Sequence, residues 1–400
     1  MALLPVEQAH TRILDGVAPT PVETVGLLEA RDRVLAETIA AKLTQSPFDS
    51  SAMDGYAVRA ADLEHAPVTL AVVGESQAGL RYAGPIAPGA AARIFTGAPM
   101  PDGADTVVIQ ENTQRTDDKV LVREAPKPGA NVRLAGGDFR EGQTLLAPGC
   151  RLDAAAILIA AAAGHAELPV RRKPRVAILA TGDELVEPGT ALGPDQIVSS
   201  NPYGLAALIE RYGGTAQVLG IAADDCDAIS AKIDAAAGAD VLVTIGGASV
   251  GDRDLVRPAL EAAGMTLDFW KVAIRPGKPM LFGRMDGTRV LGLPGNPLSC
   301  LVSARVFLVP LIASLLGRAA ELGEQTALLA NDLPANGPRQ HYMLARLEDS
   351  TEGAPRVAAL ASQDSARISG LVNADVLIVR APEAPPARAG DSVRVLPLNL

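Results

Sequence analysis

The chain has 400 residues, 48% of them hydrophobic and 20% charged, with a formal net charge of −10. That is enough apolar material for a buried interior and too much chain for one core, so two to four domains are expected. An isoelectric point near 5.0 and only 3% aromatic residues argue against a nucleic-acid partner. No apolar run approaches the roughly 20 residues that cross a bilayer, and the longest candidate, Leu298 to Leu316, is interrupted by Arg305 and Pro310. The opening MALLPVEQAH lacks the basic and apolar regions of a signal peptide. Cys150, Cys226 and Cys300 are too scattered for a disulfide framework or a zinc site, and so are the histidines. A cytoplasmic protein with no membrane partner is the expectation.

Residues 1–45 read as helical. VEQAHTRILDGV and VETVGLLEARDRVLAETI place apolar residues at three and four spacing, broken by Pro19 and Pro21. From Ser46 the texture becomes polar and turn-rich, and short runs such as VTLAVV, DTVVIQE and KVLVRE predict a small β domain over residues 46–137. DAAAILIAAAA then predicts a helix, with Asp153 as N-cap and Gly164 ending it. Helix before and after a β insertion suggests a discontinuous domain, residues 1–45 and 138–170. The basic run RRKPR reads as a solvated linker. Over residues 171–325 strands alternate with helices, the pattern of a doubly wound parallel sheet. Residues 326–400 return to short β runs and read as a small barrel or sandwich.

The stretch with most chemical content is Val241 to Asp254, VLVTIGGASVGDRD. An apolar strand runs into Gly246, Gly247, Ser249 and Gly251, then Asp252 and Asp254, and a helical pattern follows. Strand, glycine loop and helix make an anion site, because backbone N–H groups can approach the ligand closely. The other predicted strands end comparably, in TGDEL, ADDCD, RPGKP and GNPLS. In an open α/β sheet, ligands bind outside the carboxyl ends of the strands. Carboxylates from Asp183, Glu184, Asp224, Asp225, Asp252 and Asp254 would there face Lys271, Arg275 and Lys278. That set suits a phosphorylated substrate held with Mg²⁺ and a site for a further oxyanion. Neither a P-loop nor a GxGxxG fingerprint is present. In LPGNP, Pro294 and Pro297 flank Gly295 and Asn296, which predicts a rigid turn opening a helix.

SPFDSSAMDGYAV, IFTGAPMPDGADTVV, ATGDEL, GGASVGDRD, FWKVAIRPGKP and LGLPGNPLS, in this order, resemble the molybdopterin molybdenumtransferases: bacterial MoeA proteins, plant molybdenum insertases and the gephyrin E-domain. The resemblance spans essentially the whole chain. It implies a homodimer whose subunit combines a discontinuous helical domain, an inserted β domain, a molybdopterin-binding α/β domain and a C-terminal β barrel. It also implies that molybdate enters adenylated molybdopterin, with Mg²⁺-dependent cleavage of the adenylate and release of AMP.

Carried onto this sequence, the resemblance makes Glu184, Asp254, Lys271, Lys278 and Asp54 catalytic, and Glu184, Asp224 and Asp254 the metal-binding carboxylates. It implies that Thr181, Gly182, Asp183, Gly246, Gly247, Ser249, Gly251, Arg275, Pro294, Gly295 and Pro297 bind substrate. Asp54 and Thr96 match β-domain residues that reach the cleft from a partner subunit, with Arg133 and Asp138 nearby. Arg339 and Ser365 match positions associated with molybdate. Ala248, Arg275 and Asp364 depart from the usual family residues. A molybdopterin adenylyltransferase is the implied substrate donor, and molybdoenzymes or their chaperones are the acceptors. Competing readings are nucleotide transfer onto molybdopterin and a non-catalytic, gephyrin-like scaffold.

Overall fold

The structure is a computed structural model and describes residues 3–246, 255–320, 322–348 and 354–399. Its organising layer is a six-stranded sheet of β1 (Arg175–Thr181), β2 (Thr215–Ala222), β3 (Val241–Ile245), β4 (Thr266–Trp270), β5 (Leu281–Met285) and β6 (Thr288–Leu293). The spatial order is β2-β1-β3-β6-β5-β4. β2, β1, β3 and β6 pair in parallel, whereas β5 runs antiparallel to both β6 and β4. β4 therefore points the same way as β6. The carboxyl ends of β1, β2, β3, β4 and β6 share one rim.

Alternation along the strands divides two cores. Val176 and Ile178 of β1 join the cluster beneath helices α3 (Asn201–Arg211) and α6 (Pro297–Leu315). Ala177 and Leu179 join the opposite cluster, with α4 (Cys226–Ala235) and α5 (Val256–Ala262). Every residue of β3 is buried, as a strand covered on both faces requires. α6 has the length and apolar composition of a membrane span, but it lies mostly inside the molecule. Its buried Arg305 donates to the carbonyls of Pro397 at 3.0 Å and Leu322 at 2.8 Å.

FWKVAI does not form one strand. β4 ends at Trp270, Lys271 takes φ +73°, and a separate short strand, Ile274–Arg275, pairs with Gln340 and His341. Lys271 N–H donates to Met280 O at 2.8 Å, closing the turn that redirects the chain. Lys271 interrupts the apolar run, but one lysine in a strand-like run does not by itself predict a break.

Among the described residues before residue 46 there is one helix, α1 (Val6–Leu14). Its buried face of Val6, Ala9 and Ile13 packs into the core beneath α6. VETVGLLEARDRVLAETI is not helical. Val22–Gly26 pairs antiparallel with Glu167–Arg171, and Ile39–Ala40 pairs with Thr144–Leu146. Leu28 is 95% exposed, so the three-and-four spacing is not the buried period here. Long-range pairing outweighed the local helical pattern. Helix α2 (Ala154–Ala162) forms as expected, with the Asp153 carboxylate accepting from Ala156 N–H at 2.9 Å. RRKPR is not a solvated linker. Arg172 grips Asp240 through two hydrogen bonds, of 2.7 and 3.0 Å, and Arg171 donates to Thr20 O.

Between those pairings lies a six-stranded sheet built from residues 55–122. At the other end, β7 (Gln325–Leu329), β8 (Gln340–Glu348), β9 (Arg356–Ala359), β10 (Val376–Arg380) and β11 (Ser392–Pro397) pair in the circuit β8-β9-β7-β11-β10-β8. The circuit closes a five-stranded barrel. Ile274–Arg275 adds to its β8 edge, tying the α/β sheet to the barrel.

Candidate functional site

A cavity of about 630 Å³ opens at the carboxyl rim of the α/β sheet. Thr181, Glu184, Gly246, Pro294, Gly295 and Pro297 line it, together with Ser199, Ser200, Asn201, Pro279 and Ser299. Ala366 and Ile368 reach in from the C-terminal region. Gly182 sits at φ +147°, and a Cβ there would lie 2.5 Å from Oε2 of Glu184, whose carboxylate folds back over the glycine. Gly246 takes φ +87°, a backbone that other residues rarely adopt, and a Cβ there would sit tightly against Thr181 O, at 3.0 Å. The Asp183 carboxylate accepts from Asp224 N–H at 3.0 Å, joining the loops after β1 and β2.

The LPGNP turn opens α6, with Pro297 in its first turn and Asn296 at the N-cap. The Asn296 side chain does not cap the helix. It donates instead to Ser365 Oγ at 3.1 Å, while Leu298 N–H donates to Ser365 O at 3.2 Å. Ser365 is thus fixed at the helix N-terminus beside the cavity. Asn201, opening α3, donates to Gly295 O at 2.6 Å and holds the same turn from the other side. Asn201, Ser199 and Ser200 were not singled out in the sequence, and Asn296 was read only as part of the turn. The asparagine of an Asn-Pro step opening a helix was the available signal for both asparagines.

Lys271 and the RPGKP loop bring the cations to this rim. Among the described residues, Lys271, Arg275 and Lys278 make no ion pair. The Lys271 ammonium lies 4.1 Å from the Trp270 ring centroid. Gly277, at φ +105°, packs against Ser303 Oγ of α6 with no space for a side chain. Positive charge is therefore held on this loop with no carboxylate paired to it among the described residues. Arg339 donates to Ile274 O at 3.4 Å and faces the same junction. His341, buried beside Arg275 in the strand pairing, is driven down to about 4 by burial and then by Arg275, Arg339 and Arg380. Its imidazole is neutral at pH 7. A basic cluster with a neutral imidazole at its centre is suited to an oxyanion.

Gly247, Ser249, Gly251 and Asp254 lie outside the described residues. Among the described residues no group of three or more histidines, cysteines, aspartates or glutamates is arranged to hold a metal. Cys300 is fully buried, and burial pushes its thiol far up, so it is no nucleophile.

The β-domain candidates form a second group. Asp54 Oδ1 accepts from both the N–H and the hydroxyl of Thr96, each at 2.8 Å. Those two bonds hold the Asp54 carboxyl below its ordinary range. Arg133 pairs with Ser50 on the same domain, and Asp138 N–H donates to Gln45 O at 3.0 Å. Within one chain no hydrogen bond or ion pair among the described residues joins these four to the rim.

A mixed, mainly parallel sheet with a glycine-rich, charged rim, an inserted β domain and a terminal barrel define a multidomain α/β-plus-β protein with a ligand cleft at the strand ends. Residues 4–164 match the MoeA N-terminal region (domain I and II), residues 177–314 the probable molybdopterin binding domain, and residues 326–398 the MoeA C-terminal region (domain IV). The chain is 35% identical to the molybdopterin molybdenumtransferase of Haemophilus influenzae, covering 99% of both chains. It is 41% identical to that of Nostoc sp., over 81% of this chain and 77% of the relative. The crystal structure of the molybdopterin biosynthesis MoeA protein from Pyrococcus horikosii superposes with a TM-score of 0.85 at 31% identity, covering 99% of each chain. The chain belongs to the molybdopterin molybdenumtransferase family, transferases of molybdenum cofactor biosynthesis.

Proposed function

We propose that this protein inserts molybdate into adenylated molybdopterin at the carboxyl rim of its α/β sheet, cleaving the adenylate and releasing AMP. One observation carries this reading. Lys271, Arg275 and Lys278 follow the carboxyl end of β4 and make no ion pair among the described residues, Pro279 of their loop lines the cavity, and Glu184 lines it from the loop after β1. Cations there would bind phosphate and molybdate oxygens and stabilise charge that gathers as the phosphoanhydride breaks. The Pro294–Pro297 turn and the loop glycines let the backbone approach the pterin and its phosphates.

The carboxylates fit Mg²⁺ in kind, because that ion takes oxygen ligands and completes its shell from substrate phosphates and water rather than from a protein cage. Glu184 and Asp224 are the described residues that would hold it, with Asp254 as the third proposed ligand. When bound it would neutralise anhydride oxygens. The chain's own contribution is to orient the adenylate along the rim. Glu184, folded over Gly182 at the cavity wall, positions the attacking oxygen. Arg339 and Ser365 are the proposed molybdate residues, Ser365 at the turn that opens α6 and Arg339 at the Ile274–Arg275 junction beside His341. Asp54, Thr96, Arg133 and Asp138 complete the cleft from the second subunit of a homodimer. An adenylyltransferase supplies the substrate, and molybdoenzymes or their chaperones accept the product.

The test uses purified protein with adenylated molybdopterin, Mg²⁺ and molybdate, following AMP release and activation of a cofactor-free molybdoenzyme. Molybdate-dependent AMP release in the wild type, lost in Glu184→Ala, is the expected result. Wild-type protein that binds the substrate and leaves it intact under every metal condition would overturn the reading.

A further inference from the structure

Trp270 is the chain's sole tryptophan and the last residue of β4. In extended backbone, consecutive side chains point to opposite faces, so the side chain at 271 should turn away from the ring at 270. The left-handed φ of +73° at Lys271 breaks that alternation. Its side chain consequently returns over the indole, with the ammonium 4.1 Å from the ring centroid. A non-glycine residue adopts this conformation only where its surroundings hold it there. Here the backbone is clamped on both sides. Lys271 N–H donates to Met280 O at 2.8 Å, and Lys271 O accepts from Leu4 N–H at 3.3 Å. Arg257 of α5 approaches the same ring, at 5.8 Å.

An ammonium on an aromatic face directs part of its positive charge at the ring and leaves its remaining N–H donors for a partner on the other side. We infer that Trp270 is a positioning residue: its indole is the floor that holds the Lys271 ammonium at the rim, donors outward, for an anionic group of the substrate. This rests on the reading of the rim as the binding site for adenylated molybdopterin. Lysine otherwise spreads over many rotamers, and ordering it in advance removes that entropy from the binding step. An anion arriving at the ammonium also changes the field on the indole. Trp270 therefore reports its own site.

The test measures tryptophan emission and binding of adenylated molybdopterin, with inorganic pyrophosphate as a second probe, for the full chain. In the wild type the emission should shift and saturate with ligand, and in Lys271→Met that shift should vanish. Trp270→Leu should raise KM about tenfold and leave kcat within about threefold, and Trp270→Phe, which keeps a ring, should recover most of the loss. In the Lys271→Met background, Trp270→Leu should have no further effect on binding, whereas a packing defect would weaken both backgrounds equally. The wild-type emission needs no variant to fold. If Lys271→Met binds weakly but Trp270→Leu matches the wild type, the positioning role is overturned and the site stands. If Lys271→Met binds as tightly as the wild type, the rim reading fails and the proposal fails with it.

Discussion

Single residues at the rim owe their positions to what their neighbours lack. Gly182 leaves the space that the Glu184 carboxylate occupies. Gly182→Ala would drive a methyl group into that carboxylate and impose an unfavourable φ, a strain of about 1–3 kcal/mol. The expected result is a lower Tm together with a drop in kcat/KM of about tenfold or more. A variant that loses stability but keeps full activity would show that the Glu184 position is unimportant. Asp54 offers a different measurement. Its carboxyl is held down first by the Thr96 N–H and then by the Thr96 hydroxyl. Thr96→Val removes the hydroxyl and keeps the N–H, so the Asp54 pKa should rise part of the way towards 3.8. The sign follows from linkage: what this carboxylate contributes is present above the unfolded value and fades as pH falls through the lower folded one. Carboxyl NMR titration of the two proteins would register the change, and identical titrations would mean the hydroxyl bond is not made in solution.

Elements explain which features the sequence made legible. β3 and the helix on Ala154–Ala162 were readable because a wholly apolar run and an N-cap are local signals. The break at Lys271 was not, because it depends on Met280 and Leu4, which lie in other elements. Val22–Gly26 failed for the same reason, since its partner strand lies far along the chain. The rim loops were legible as motifs, yet the asparagine clamps on LPGNP were not, because their partners Gly295 and Ser365 are set by the packing of separate elements. His341 was dismissed as one scattered histidine, and only the pairing of Ile274–Arg275 with β8 brings it beside Arg275. That pairing has a pH signature. In the unfolded chain the imidazole titrates near 6.5, and in the fold near about 4. As pH falls the unfolded chain binds the proton first. Stability from this group is full above about 6.5, is lost between about 6.5 and 4, and changes no further below that. His341→Gln should flatten that part of the profile in urea denaturation at a series of pH values. Equal slopes in both proteins would assign the effect to other groups.

At the scale of the whole molecule, α1 is the piece whose position in space departs most from its position in the chain. It opens the chain, but it packs beneath α6, with Ile13 1% and Ala9 0% exposed. Arg12 pairs with Asp268 of β4 at 3.0 Å, and Arg284 of β5 donates to Arg12 O at 3.1 Å. Ahead of it, Leu4 bonds to both sides of the strand break, accepting from Ala273 N–H at 2.8 Å and donating to Lys271 O. The N-terminal segment is thus a brace on the loop that carries the rim cations. Ile13→Ala should lower stability by about 2–5 kcal/mol through the cavity it leaves. Removing residues 1–4, ahead of α1, should act more selectively, because it takes away the partner of Ala273 N–H but not that of Lys271 N–H. Hydrogen exchange should then quicken at the Ala273 amide while the Lys271 amide, still bonded to Met280, keeps its protection. If both amides lose protection together, the sheet edge has unfolded as a unit and the N-terminal segment supports the whole edge. If neither changes, the break at Lys271 is held by its own turn, and the pre-ordering of the ammonium needs no help from the start of the chain.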